Sequence, residues 1–145
     1  MSKNTGFTDH QSIRNYQPGL VHHVGYELDF SVNPVAAGDT FSALKVPKDA
    51  IVTGIDQIII TPGSAGITVG YGDGTTATLF DAAVAMDAAA NTHTGTDPAT
   101  ETALAATNGK HYTADGEIIG TPSGALSAGK VWIDATYKLL NRPAA

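Results

Sequence analysis

Residues 131–139, Val131-Trp132-Ile133-Asp134-Ala135-Thr136-Tyr137-Lys138-Leu139, alternate apolar and polar side chains almost without a break. Side chains along a strand point to opposite faces with period two. Val131, Ile133, Ala135, Tyr137 and Leu139 therefore share one buried face, while Asp134, Thr136 and Lys138 face water or a partner, with Trp132 on their side. Residues 24–32 obey the same rule: Val24, Tyr26, Leu28, Phe30 and Val32 point one way, Glu27, Asp29 and Ser31 the other. Two such strands bracketing a Gly-rich middle predict an antiparallel β domain whose first and last strands both enter the core.

Residues 1–20 read as a polar arm closed by the turn pair Pro18-Gly19, residues 21–140 as a β-sandwich domain, and residues 141–145 as a polar tail. Within the arm, Phe7, Ile13 and Tyr16 are sparse apolar anchors that suit an interface with a neighbouring subunit. Asp39–Val46 predicts a short strand with Phe41, Ala43 and Lys45 opposed to Thr40, Ser42 and Leu44. Ile51–Thr61 is rich in β-branched residues, and its Ile58-Ile59-Ile60 run predicts a strand covered on both faces or ending under a loop. Across the turn Pro62–Gly66, Ile67–Tyr71 is expected to pair back as a hairpin. The alanines of Leu79–Ala89 favour a short helix, with Phe80, Val84 and Ala83 on one face, capping an open end of the core. Asn91–Thr102, Thr- and Asp-rich with Gly95 and Pro98, reads as an exposed loop, followed by short strands at Lys110–Thr113 and Glu117–Gly120. Seven to eight short strands at roughly 8–15-residue spacing are the signature of an all-β antiparallel sandwich or jelly roll.

Charge limits the partners. The net charge is −6 and only eight Lys and Arg residues are present, scattered singly, so phosphate binding has no electrostatic support and nucleic acid is not expected. No apolar stretch of 18 residues or of signal-peptide form occurs, which predicts a soluble chain made in the cytoplasm with no membrane partner. Cysteine is absent, excluding disulfides, thiolate metal sites and thiol catalysis. Charged residues make up 15% of the chain against roughly 25% in an average domain, and such a small-featured surface favours packing against other protein.

No motif carries chemistry with comparable clarity. His22-His23 followed by Glu27 invites comparison with the cupin metal site, but adjacent strand residues point to opposite faces and cannot ligate one ion. Gly70–Thr75 lacks the lysine of a phosphate loop and the spacing of a dinucleotide fingerprint, so Asp73-Gly74 reads as a tight turn, with a weak cation site at Asp73 as the alternative. Ser64, Ser123 and Ser127 sit in Gly/Ala-rich loops without a nucleophile elbow. Glu27, Asp29, Asp56, Glu117 and Asp134 could supply paired carboxylates, yet Glu27, Asp29 and Asp134 lie on polar strand faces, where solvated roles are commoner. The expectation is no enzyme, no cofactor, no metal and no small-molecule substrate. Trp132, facing away from the core set, suits an interface or a sugar.

The order of features resembles the head decoration (cement) proteins of tailed bacteriophages. The resemblance rests on Gly38-Asp39-Thr40, Val46–Ile55, Ile67–Thr75 running into Leu79-Phe80-Asp81-Ala82, and the closing Ala128–Tyr137, a pattern of strands and turns over about 38–81 and 110–140. It implies a non-enzymatic virion protein on the capsid exterior, a trimer that binds the major capsid protein and clamps neighbouring subunits. The alternatives are a tail, neck or fibre-base protein, and a carbohydrate-binding jelly roll using Trp132, Tyr71 and nearby aspartates.

Overall fold

The computed structural model describes residues 3–4, 21–95 and 109–140. The described residues form ten strands and no helix: β1 (Lys3–Asn4), β2 (Val21–Asp29), β3 (Thr40–Val46), β4 (Ala50–Thr61), β5 (Thr68–Gly72), β6 (Asp81–Ala85), β7 (His93–Gly95), β8 (Lys110–His111), β9 (Gly116–Pro122) and β10 (Lys130–Leu139). They build two sheets, A in the order β1-β3-β9-β5-β6 and B in the order β2-β10-β4-β7, with β8 also on β4. Pairing is nested: β2 with β10, β3 with β9, β4 with β7 and β5 with β6, all antiparallel. That nesting over two packed sheets is jelly-roll connectivity. β1 adds to it as a parallel neighbour of β3.

The core lies between the sheets. Leu28, Phe30, Phe41, Leu44, Ile59, Tyr71, Phe80, Met86, Ile118, Leu126 and Ile133 are fully buried. The inward set foreseen for the last strand holds throughout: Val131, Ile133, Ala135, Tyr137 and Leu139 are all buried. One polar pair crosses the core, where Tyr71 Oη on sheet A donates to Gln57 Oε1 on sheet B at 2.6 Å. Burial, and after it the Asp81 carboxylate, push the Tyr71 phenol far above its ordinary range, so it stays a donor.

Five local expectations are corrected. The first strand stops at Asp29, whose Oδ1 accepts the Ser31 N–H at 3.0 Å while its carbonyl accepts Asn33 N–H, so Val32 lies on a turn, 71% exposed. In β3 a bulge between Ser42 and Leu44 resets the alternation, burying Leu44 and Val46 and exposing Lys45. Ile67–Tyr71 makes no hairpin with Ile51–Thr61, because β4 belongs to sheet B and β5 to sheet A; the Pro62–Gly66 turn carries the chain between sheets. The alanine-rich segment is strand β6, paired with β5 and burying Val84, with Ala83 exposed. Tertiary pairing overrides helix propensity there. Lastly, Ile58 and Ile60 are each 38% exposed, so only Ile59 of that run is covered.

Ser42 is buried beside the bulge, and its Oγ has no hydrogen-bond partner among the described residues. Ser42→Ala is expected to raise stability by about 1 kcal/mol, because it deletes a desolvated hydroxyl without stranding a partner. A urea titration checks this, and an equal loss would mean that the hydroxyl has a partner.

Candidate interaction surface

The outer face of sheet B brings together six of the candidate residues, His23, Glu27, Asp29, Asp56, Trp132 and Asp134. β10 lies between β2 and β4, and its register sets Trp132 beside Glu27 on one side and Ile58 on the other. The next row outward on this face places Asp134 between Gly25 and Asp56. Trp132 is 39% exposed, and its indole lies against Gly25: a Cβ there would come within 2.6 Å of Cε2 and 2.7 Å of Nε1. The missing side chain lets the ring lie along the sheet rather than stand off it.

Carboxylates, imidazoles and a lysine surround the ring. His23 Nδ1 lies 3.6 Å from Asp134 Oδ1 and 3.2 Å from Thr136 Oγ1, and His93 Nε2 lies 3.6 Å from Asp56 Oδ2. Lys130 Nζ stands 3.5 Å from Glu27 and 3.7 Å from Asp29. Burial pushes the Asp134 carboxyl above its ordinary range, aided by the Asp56 carboxylate and opposed by His23 and a hydrogen bond from Trp132. Two carboxylates facing each other across neighbouring strands repel.

A second polar cluster forms around the β5–β6 turn. Gly74 has φ 90°, as the Asp-Gly turn demands. Asp73 Oδ1 accepts the N–H groups of Thr75 and Thr76 at 3.0 and 2.7 Å, and its Oδ2 lies 3.0 Å from Lys110 Nζ. The ammonium of Lys110 thus occupies the place considered for a cation at Asp73. Burial alone would raise the Asp73 carboxyl, but the Thr76 N–H, Lys110 and the Thr75 N–H outweigh it and hold the carboxyl below its usual range. A depressed folded-state value stabilises the fold above the unfolded value, and that stability is lost as pH falls through the folded value. Asp73→Asn is therefore expected to cost about 1–2 kcal/mol at neutral pH. The gap between variant and parent melting temperatures should close below the carboxylate range. A gap unchanged by acid would sink the assignment.

The other candidates disperse. His22 and His23 do point to opposite faces, His22 stacking on the inward Tyr137 at 5.2 Å while His23 is exposed. Tyr71 is fully buried, which removes it from any sugar site shared with Trp132. Ser123 Oγ accepts the Thr68 N–H at 3.1 Å, and Ser127 sits exposed in the β9–β10 loop. No group of three or more His, Asp or Glu residues is placed to hold a metal ion among the described residues. Phe7, Ile13 and Tyr16 lie outside the described residues. Sequence reasoning passed over Ile58 and His93, because only the register of β10 and β7 on β4 brings them to the Trp132 face.

The sequence matches no known family model and no curated protein. Three solved structures are similar in fold. A chain of the capsid of Ralstonia phage GP4 superposes with TM-score 0.64 at 14% identity, covering 97% of this chain and 98% of its own. A chain of the cyanophage Pam1 capsid asymmetric unit gives TM-score 0.57 at 16% identity over 92% and 96%. One from the acidic stable capsid structure of Helicobacter pylori bacteriophage KHP30 gives 0.56 at 15% over 86% and 92%. At such identities, what this chain shares with all three is the β-sandwich fold, over nearly their whole length.

Proposed function

We propose that the chain is a structural protein of a phage virion, binding the outer surface of the assembled capsid and stabilising contacts between major capsid subunits. The observation that carries this reading is the match of 86–97% of this chain, and 92–98% of the other, to chains from three phage capsid structures. A whole-length match points to a molecule of the same build rather than to one shared module. The chemistry of the chain agrees: the groups most suggestive of a site at Asp73 are used up in holding a turn to β8. Binding would come from many weak contacts repeated over a lattice, where multivalency multiplies what one contact supplies. A trimer at three-fold positions suits that role, with the major capsid protein as partner and catalysis no part of it.

Density-gradient sedimentation of the native lysate, with quantitative mass spectrometry of the fractions, tests the proposal. Co-migration with particles at a copy number that scales with the major shell protein is the expected result. A few copies per particle would reassign the chain to the tail or neck. Recovery only as free protein at the top of the gradient would overturn the virion reading.

A further inference from the structure

The face around Trp132 combines three properties that the capsid reading does not use. The indole packs against Gly25 in the space that a side chain there would take, and 39% of the residue is exposed. Ile58 continues the apolar surface on the neighbouring strand. Around them stand four carboxylates, Glu27, Asp29, Asp56 and Asp134, against two lysines, Lys130 and Lys138, and two imidazoles; Lys130 lies near Glu27 and Asp29, His23 lies 3.6 Å from Asp134, and His93 lies 3.6 Å from Asp56. Asp56 and Asp134 are direct cross-strand partners, so a guanidinium here would meet two like charges that the neutral imidazoles of His93 and His23 do not cancel.

Each property narrows the occupant. An acidic rim disfavours phosphate and any polyanion. A flat indole attracts cations through its quadrupole, and a planar guanidinium stacks on it better than an ammonium does. A guanidinium also meets carboxylates with a fork of parallel donors, so Glu27 on one flank and Asp134 on the other suit its edge. A ring pre-set by Gly25 loses little freedom on binding. We propose that this face is the docking site for an arginine side chain presented by a protein partner, the guanidinium stacking on Trp132 between Glu27 and Asp134.

Trp132 is the chain's single tryptophan, so its emission reports on the site alone. The test titrates the whole chain with hexa-arginine amide, hexa-lysine amide and hexa-citrulline amide, the last having the shape of arginine without its charge. Hexa-arginine is expected to change the emission saturably, with half-saturation about tenfold below that of hexa-lysine. Raising salt from about 50 to about 300 mM should weaken it severalfold. The double variant Glu27→Gln, Asp134→Asn should lose about tenfold in affinity while melting as a folded protein, because each neutral side chain keeps its shape. A charge-matched control, Asp87→Asn with Asp115→Asn on distant loops, should bind as the parent does. Equal loss in the control would expose general attraction to an acidic protein and overturn the site. So would an equal response to hexa-citrulline, a response to neutral oligosaccharides instead, or none at millimolar peptide. These outcomes are independent of the gradient experiment, since they need no particle.

Discussion

Replacing Phe41 with alanine is expected to remove about 4 kcal/mol of stability. Phe41 is fully buried on β3 and packs edge-on to Phe30 at 5.2 Å and to Tyr71 at 6.2 Å between ring centres. Its ring also occupies the space that a side chain at Gly120, its cross-strand partner, would take. A Cβ at Gly120 would meet ring carbons of Phe41 at 2.5 and 2.6 Å. Truncation therefore opens a cavity bounded partly by bare backbone, which collapses poorly. A double-mutant cycle gives the sharper test. Gly120→Ala should destabilise the parent by about 1–3 kcal/mol through overpacking. In the Phe41→Ala background it should cost little or even restore stability, because the ring that opposed it is gone. Additive losses in urea denaturation would mean that the ring and the glycine do not share one space.

The second large effect is expected at Gly72, the last residue of β5, which pairs with Ile119. A Cβ there would collide with the Thr76 carbonyl oxygen and come within 2.8 Å of the Ala77 carbonyl oxygen. Both are backbone, so the 73–77 turn as a whole must move. That turn carries Asp73, with its hold on Thr75, Thr76 and Lys110, and so couples the end of sheet A to β8. Gly72→Ala should cost about 3 kcal/mol, several times what glycine-to-alanine changes bring where a Cβ has room. Hydrogen exchange should quicken across the Lys110 segment as well as the turn. An unchanged melting temperature would show that the turn yields without strain. Gly66, whose Cβ would meet nothing within 4 Å but whose φ is +72°, is the useful contrast: alanine there tests backbone strain without collision.

Together these two sites explain how a chain of small residues holds a rigid shape. Glycines let aromatic rings and turns approach the backbone, and the rings then supply the packing. The same device recurs on the surface, where Gly25 seats Trp132.

The alternation in residues 131–139 and 24–32 determined by itself which side chains of those two strands turn inward, all but Val32, because period-two burial is a property of one strand and its two faces. It likewise separated His22 from His23 and set Trp132 outward. Tertiary structure alone decided the rest. The bulge at Ser42 and Leu44 shifted half a strand to the other phase, and a bulge depends on the partner strand as much as on local residues. β6 became a strand against its alanines because β5 offered an unpaired edge next to it, and pairing outweighs a propensity of tenths of a kcal/mol per residue. The turn at Pro62–Gly66 reads as a hairpin locally; whether it joins neighbours or crosses between sheets depends on where β10 and β9 lie. The Trp132 face was only partly legible for the same reason. Its members come from β2, β10, β4 and β7, some seventy residues of chain between His23 and His93, and only the register of the finished sheet brings them side by side.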